Sequence, residues 1–319
     1  MTTRTCTRAL ATAAVLAVAA VSTTATAQAD TPPAGAGTTS HGYVTEHGVA
    51  TTIDHPDAAT VPSTPDGQTG TGTLGINDRG QVVGVYESPD RVVHHFVRDR
   101  KGRFTTIADP PGVKTDRLSY ETTDINNRGQ IVGFYNDDQG STTSGFLREE
   151  NGRFRPIAVP GAQVTGPFRI NDRGQIVGLV ADARGVHGFL WQHGKATTVD
   201  VPGATATLLF GINNRGQMVG VYVDGDGNYR GFLRDRNGHV TTIDAPGAAQ
   251  QAGGTQLSSV NEHGQIVGAV FDAQGSSRGF RYERGHFTWI DQPGATYTRA
   301  LDIDNHGHVV GDYGTKPRP

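Results

Sequence analysis

The chain has 319 residues, with 28 basic and 31 acidic side chains, 12 histidines, 44 glycines and a single cysteine. This slightly acidic balance, with arginine far outnumbering lysine, carries no polyanion signature, and no nucleic-acid partner is expected. The lone cysteine, Cys6, lies in a leader that is expected to be removed, which excludes disulfides, thiolate catalysis and cysteine-ligated metals for the remainder.

Residues 1–29 contain Arg4 and Arg8, an apolar run from Ala9 to Val21 and the small-residue site Ala27-Gln28-Ala29. That pattern predicts a secretory signal peptide cut before Asp30. The apolar run is too short to span a bilayer and no later segment approaches the required length, so no membrane association is expected. The expectation is a secreted, extracellular, monomeric protein. Without the leader, 26 basic residues face 31 acidic ones, a net charge of −5. Residues 30–39 are expected to be a flexible N-terminal segment, residues 40–314 the folded domain and residues 315–319 a short tail.

The folded part opens on "HGYVTEHGVATTIDHPDA", from His41, which reads as two strands without a partner before them. A short sentence then returns: "INDRGQVVG" from Ile76, "INNRGQIVG" from Ile125, "INDRGQIVG" from Ile170, "INNRGQMVG" from Ile212, "VNEHGQIVG" from Val260 and "IDNHGHVVG" from Ile303. Their starts are 49, 45, 42, 48 and 43 residues apart, a period typical of supersecondary arrays, with propeller blades the leading all-β candidate. In the fullest copy, from Thr207, "LLFGIN" leads through Asn-Arg-Gly into "QMVGVYV", then "YRGFLRD", then "HVTTID", and Pro-Gly in "DAPGA" suits a type II turn. Glycine late in each Asn-x-Arg-Gly turn suits a tight hairpin with positive φ. The paired apolar residues of "QIVG" predict strands covered on both faces.

The second half of the unit is reached at Tyr43, Phe96, Phe146, Phe189, Phe232 and Phe280, and the chain closes on "IDNHGHVVGDYG", a first half without a successor. Joining residues 41–54 to residues 298–313 completes a sixth four-stranded sheet. The expected fold is therefore all-β: a six-bladed β-propeller of four-stranded antiparallel blades, its ring closed by N- and C-terminal strands sharing one blade.

The tandem "GINxRGQxVG" and "H-[GA]-F-L" segments resemble the HAF-type extracellular repeats of bacteria, over about residues 40 to 313. That resemblance implies an exported, propeller-like protein and no established shared reaction. His41, His94 and His187 keep the histidine of the tripeptide, whereas Ser144, Arg230 and Arg278 replace it.

Loop lengths point to one face. From the alanine of "PGA" or its equivalent to the next first strand the steps are 13, 7, 3, 3, 7 and 3 residues, while the "NxRGQ" turns never vary in length. Variation on one face and constancy on the other is the pattern of loops that carry function. The recurrent Thr71, Thr165, Thr207, Thr255 and Thr298 read as structural. Where symmetry breaks near the axis, Tyr120, Glu121, Asp124, Arg169, Arg299 and Asp302 come together, with Gln256 beside them. One reading is a polar pocket in which Tyr120, Glu121, Asp124 or Asp302 is catalytic and Arg169, Gln256, Arg299, His94 and His187 bind ligand. The other is salt bridging between neighbouring blades.

Asp224, Asp226 and Asn228 in "YVDGDGNY" alternate as in calcium loops, but they lack the later glutamate, so a polar hairpin competes with a weak calcium site. His94-His95, His187 and His306-Gly307-His308 sit on different blades without ligand spacing, and no metal or other cofactor is assigned. Arg79, Arg128, Arg173 and Arg215 are expected to be solvated turn residues. The first functional expectation is a binding module whose variable-loop face takes an extracellular glycan, protein or small molecule. The alternative is a single-site lyase or hydrolase acting on a polysaccharide or secreted metabolite.

Overall fold

The computed structural model describes residues 38–46, 48–60, 68–90, 92–111, 120–136 and 142–316. The expected signal peptide with Cys6, and most of the two expected terminal segments, lie outside the described residues. So do 61–67 and 112–119, the middles of two of the longer connections between repeats.

The described chain is all-β, with one short 3-10 turn at Gln250–Ala252. After β1 (Thr38–Glu46) and β2 (Val49–Ile53), the strands run in antiparallel fours. The first four are β3 (Gln68–Ile76), β4 (Val82–Glu87), β5 (Val93–Arg98) and β6 (Phe104–Thr106). Next come β7 (Tyr120–Ile125), β8 (Ile131–Asn136), β9 (Thr143–Arg148) and β10 (Phe154–Ile157). They are followed by β11 (Val164–Ile170), β12 (Ile176–Asp182), β13 (Gly185–Gln192) and β14 (Lys195–Val199). Then come β15 (Ala206–Ile212), β16 (Met218–Val223), β17 (Tyr229–Arg234) and β18 (Val240–Thr242). The last complete set is β19 (Thr255–Val260), β20 (Ile266–Phe271), β21 (Ser277–Glu283) and β22 (His286–Ile290).

The final strands β23 (Ala295–Ile303) and β24 (Val309–Thr315) pair with each other. β24 also takes β1 along its other edge, from Thr39↔Thr315 to Thr45↔Val309, and β1 pairs with β2. The two half repeats at the chain ends thus share one four-stranded sheet. Short parallel bridges join neighbouring groups, as at Ser40↔Gly70, Val164↔Thr143 and Val186↔Ala206. Each first strand lies beside the next one, from β3 through β7, β11, β15 and β19 to β23, and β23 lies beside β3.

The aromatic of each "H-[GA]-F-L" segment is the centre of its group's packing. Tyr43, Phe96, Phe146, Phe189, Phe232 and Phe280 are all at most 1% exposed. They pack with the apolar pairs of the "QIVG" strands and with neighbouring groups, as Phe280 does with Val219, Leu257 and Ile266. Burial of each such ring stabilises the fold by roughly 1.5–3 kcal/mol. Both residues of each pair are buried, as in Ile176 and Val177, because sheets cover both faces of these strands.

The constant hairpin has a closed circuit of hydrogen bonds as its cause. The Asn of each "IN" accepts two N–H groups from its own turn through Oδ1, as Asn171 does from Arg173 and Gln175, both at 3.0 Å. Its Nδ2 donates to the turn's Gln (Asn171 to Gln175 Oε1, 2.8 Å) and to the main-chain carbonyl of the next repeat's turn (Asn213 O, 3.0 Å). One residue on, each backbone N–H donates to a side chain of the next repeat, from Asp78 to Asn127, Asp172, Asn214, Glu262 and Asn305, and from Asn305 back to Asp78. The turn closes at a glycine with φ of 70–84°, for example Gly129 and Gly307, a region that side-chain-bearing residues enter at a cost. Six repeats of one sentence supply six donors and six acceptors for this backbone-to-side-chain circuit.

Candidate functional site

Every first strand carries a β-bulge just before its "IN" pair, at 73/75, 122/124, 167/169, 209/211, 257/259 and 300/302. A bulge re-aims backbone and side chains locally, and here it presents one residue per repeat to its neighbours: Gly75, Asp124, Arg169, Gly211, Ser259 and Asp302. Glycine at two of these positions leaves needed space, since a Cβ on Gly75 would lie 2.7 Å from Asp124 Oδ1 and one on Gly211 2.9 Å from Ser259 Cα.

Arg169 fills the space so defined. Its Nη1 lies 3.3 Å from Asp124 Oδ1 and 3.4 Å from Asp302 Oδ2. The same guanidinium donates to main-chain carbonyls of Phe210 (3.1 Å), Leu74 (3.4 Å), Ser258 (3.3 Å) and Leu301 (2.6 Å). One side chain from β11 therefore touches all five other first strands. The two carboxylates are also held by the backbone: Asp124 Oδ2 accepts the N–H of Ile170 at 2.8 Å, and Asp302 Oδ2 that of Ile76 at 2.7 Å. Asp302 Oδ1 accepts the Ser259 hydroxyl at 2.6 Å. Each of the four carboxylate oxygens thus has a protein partner, and the side chains of all three residues are at most 9% exposed.

Burial pushes both carboxyls above the ordinary carboxylate range, against the pull of Arg169. One cation between two acids leaves a surplus negative charge in a dry place, which favours retention of a proton. For Arg169 the two carboxylates outweigh burial and hold the guanidinium charged. Such an arrangement ties strands together, with every carboxylate oxygen engaged by a donor of the protein.

The remaining candidates are dispersed. Tyr120 and Glu121 stand on β7 opposite Tyr135 and Phe134, and their side chains lie outside the described residues. Gln256 is half-buried on β19 opposite Ala269. Arg299 is bound to Asp312 by two contacts, 2.9 and 2.5 Å, and lies over the Tyr297 ring. Burial opposes the Arg299 charge, but Asp312 and Tyr297 hold its pKa above the usual arginine value. Asp312 is fully buried where the other second strands have Val85, Phe134, Leu179, Val221 and Ala269. This buried pair lies in the sheet where the chain ends meet, and sequence reading passed over Asp312 although its break with an apolar column was visible.

The tripeptide histidine is a clamp between third and fourth strands. His41 bonds Asp54 and His187 bonds Asp200, both at 2.9 Å. Where arginine replaces it the clamp persists, as Arg230–Asp244 (2.8 Å) and Arg278–Asp291 (2.6 Å). In the two remaining repeats the acid's place is taken by Ala108 and Ala158; Ser144 stands in one, and in the other His94 turns to the Ser88 hydroxyl at 3.0 Å and stacks on Tyr86. The recurrent threonines mainly hold the preceding repeat: Thr71, Thr165, Thr207 and Thr255 accept the N–H groups of His55, Val159, Val201 and Ala245. Arg79, Arg128, Arg173 and Arg215 are exposed.

In the Asp224 hairpin, Oδ1 accepts the N–H groups of Asp226 and Asn228, and Oδ2 takes the Asn228 amide and Arg230 Nε. The Arg230 contact, first among the causes, holds the Asp224 carboxyl well below its ordinary range. Both Asp224 oxygens are thus engaged by the hairpin backbone, Asn228 and Arg230. Another group was missed because only its histidines were considered: Asp304, His306 and His308 present ligand atoms all within 4.8 Å of one another. Among the described residues no helix is long and apolar enough to cross a membrane.

Residues 8–155 match the model of a family described as a protein of unknown function, DUF3466. No curated protein matches the chain. Among solved structures the chain is similar to a putative TolB from Agrobacterium tumefaciens, with 9% identity, TM-score 0.55 and coverage of 87% of this chain and 98% of the other. It is also similar to TolB from Acinetobacter baumannii, with 10% identity, TM-score 0.54 and 87% of this chain covered, and it spans 64% of that protein's length. A lectin variant from Aleuria aurantia in complex with α-methyl-L-fucoside shows 13% identity and TM-score 0.48, with 78% of this chain and 95% of the lectin covered. At these identities the TolB likeness is one of fold: the chain is all-β, of the β-propeller type.

Proposed function

We propose that this chain is a secreted six-bladed β-propeller of the HAF-repeat kind, closed by its two half repeats, and that it works as a binding module for an extracellular glycan or protein. The pairing of β1 with β24 and the return of the hairpin circuit from Asn305 to Asp78 support closure. The binding reading rests chiefly on the engagement of the polar axis by the fold itself. With every oxygen of Asp124 and Asp302 taken up by Arg169, Ser259 or a backbone N–H, the charged candidates nearest the axis are structural. What still varies between repeats is the set of connections leading into the first strands, of 13, 7, 3, 3, 7 and 3 residues. Loops of this kind on a rigid scaffold are where recognition resides.

The test is a glycan-array screen and a pull-down from culture supernatant, repeated with a variant whose 59–67 connection is cut to three residues. A ligand that is captured by the parent and lost by a well-folded loop variant would support the reading. Turnover of any substrate that collapses in Asp124→Asn or Asp302→Asn, with the fold intact, would replace it by an axial enzyme.

A further inference from the structure

We propose that Asp304, His306 and His308 form a binding site for a divalent transition-metal ion of the zinc class. The starting point is the hairpin that departs furthest from its template. In five repeats the first, third and fifth positions of the turn are Asn, Arg (His263 in the fifth repeat) and Gln. In the sixth the first and fifth positions change as well, to Asp304 and His308, on either side of His306.

The first and fifth positions already face one another in the template, because the Asn and Gln side chains touch at 2.7–2.9 Å in each of the five copies. The exchange therefore puts a carboxylate and an imidazole at that contact, with the His306 imidazole beside them. Asp304 Oδ2 lies 2.8 Å from His308 Nδ1 and 3.5 Å from His306 Nδ1. Zinc bonds of about 2.0–2.1 Å to nitrogen and oxygen require ligand atoms roughly 3–3.5 Å apart, and the two separations bracket that range. The other oxygen, Oδ1, accepts the N–H groups of His306 at 2.9 Å and His308 at 2.8 Å. Backbone bonds thus orient the carboxylate toward the imidazoles before any ion arrives, the usual office of outer-shell contacts.

The change has a structural cost that packing does not explain. Asn Nδ2 donates to the next repeat's carbonyl from Asn77 to Asn126, Asn171, Asn213, Asn261 and Asp304. Aspartate has no N–H to carry the series on to Asn77. An asparagine would have completed it, so the acid forfeits a bond that five repeats keep. The His306 side chain is 58% exposed and free to close on an ion, while Asp304 is fully buried beneath it. A cavity of about 320 Å³ begins at His306 and is walled by His263, Gln265 and Arg281, which leaves room for further ligands on the solvent side. Two imidazoles and one carboxylate suit zinc, copper or nickel and not a hard cation such as calcium.

The test is zinc titration by calorimetry on the untagged protein, beside the reversion Asp304→Asn/His306→Arg/His308→Gln, which restores the turn of the other repeats, and beside His306→Ala alone. The parent is expected to bind one zinc per chain, and both variants to bind at least ~10-fold more weakly. Cobalt should give visible absorption bands in the parent at one equivalent and none in the reversion. A parent that takes up no zinc, or variants that bind as tightly as the parent, would overturn the proposal. The exposed His306→Ala change keeps the test valid if the triple reversion folds poorly.

Discussion

Removing the guanidinium at the centre is the sharpest test of the account of the axis. In Arg169→Met the side chain keeps most of its apolar length, yet Asp124 and Asp302 lose their shared cation and four carbonyls lose a donor. Breaking a buried ion pair by deleting one partner costs about 3–5 kcal/mol, because the surviving charge stays buried. For a domain of this size each kcal/mol lowers Tm by roughly 2–4 °C, so a fall of about 6–20 °C is expected by differential scanning calorimetry. Urea unfolding should show the same loss with an unchanged slope. The cycle then separates charge from packing: in an Asp124→Asn/Asp302→Asn background the Arg169→Met step should cost markedly less, since no uncompensated charge remains. The asparagine carbonyls can still accept the N–H groups of Ile170 and Ile76. An Arg169→Met protein melting within about 2 °C of the parent, or a cycle with no coupling, would refute the reasoning.

The same carboxylates set a pH dependence. Their folded pKa values lie above the unfolded ones, for Asp124 at about 7 against 3.8, so the folded state holds more protons between those values. This contribution to stability is fully present below pH 3.8 and is lost as pH rises toward about 7. Asp302→Asn should flatten that part of the stability profile, as followed by urea midpoints from pH 4 to 8; a slope equal to the parent's would count against the pair. Asn171→Ala removes four hydrogen bonds from one hairpin and should cost about 2–4 kcal/mol in urea unfolding, with a neutral result showing that the circuit is dispensable. Millimolar calcium should leave the Tm unchanged, in the parent and in Asp224→Asn alike, and a saturable rise dependent on Asp224 would restore the calcium loop.

Much of the architecture was legible because it is local. The period, the Asn-x-x-Gly hairpins, the four short strands and the buried aromatic of each unit follow from turn chemistry and from apolar residues within some 45 positions of one another. Pairing of the two half repeats could be anticipated, since unpaired sheet edges are costly and each end lacked what the other supplied. The clamp between the tripeptide histidine and the acid of "TTID" could also be read, because Ala108 and Ala158 replace the acid in the two repeats that do not form it.

The chemistry of the candidate site was not legible in the same way. Sequence columns singled out Asp124, Arg169 and Asp302 as places where symmetry breaks, and they grouped Arg299 with them. Only the folded chain decides that Arg169 reaches acceptors as far away in sequence as Leu74 and Leu301, while Arg299 turns to Asp312. Side-chain reach across an axis depends on bulges, on which repeats hold glycine, and on how first strands from distant segments converge. The repeating unit, its turns and its core are written in the chain, because neighbours along it settle them. Which exceptions to the repeat meet depends on folding, since burial and charge pairing at the centre are properties of all six units together.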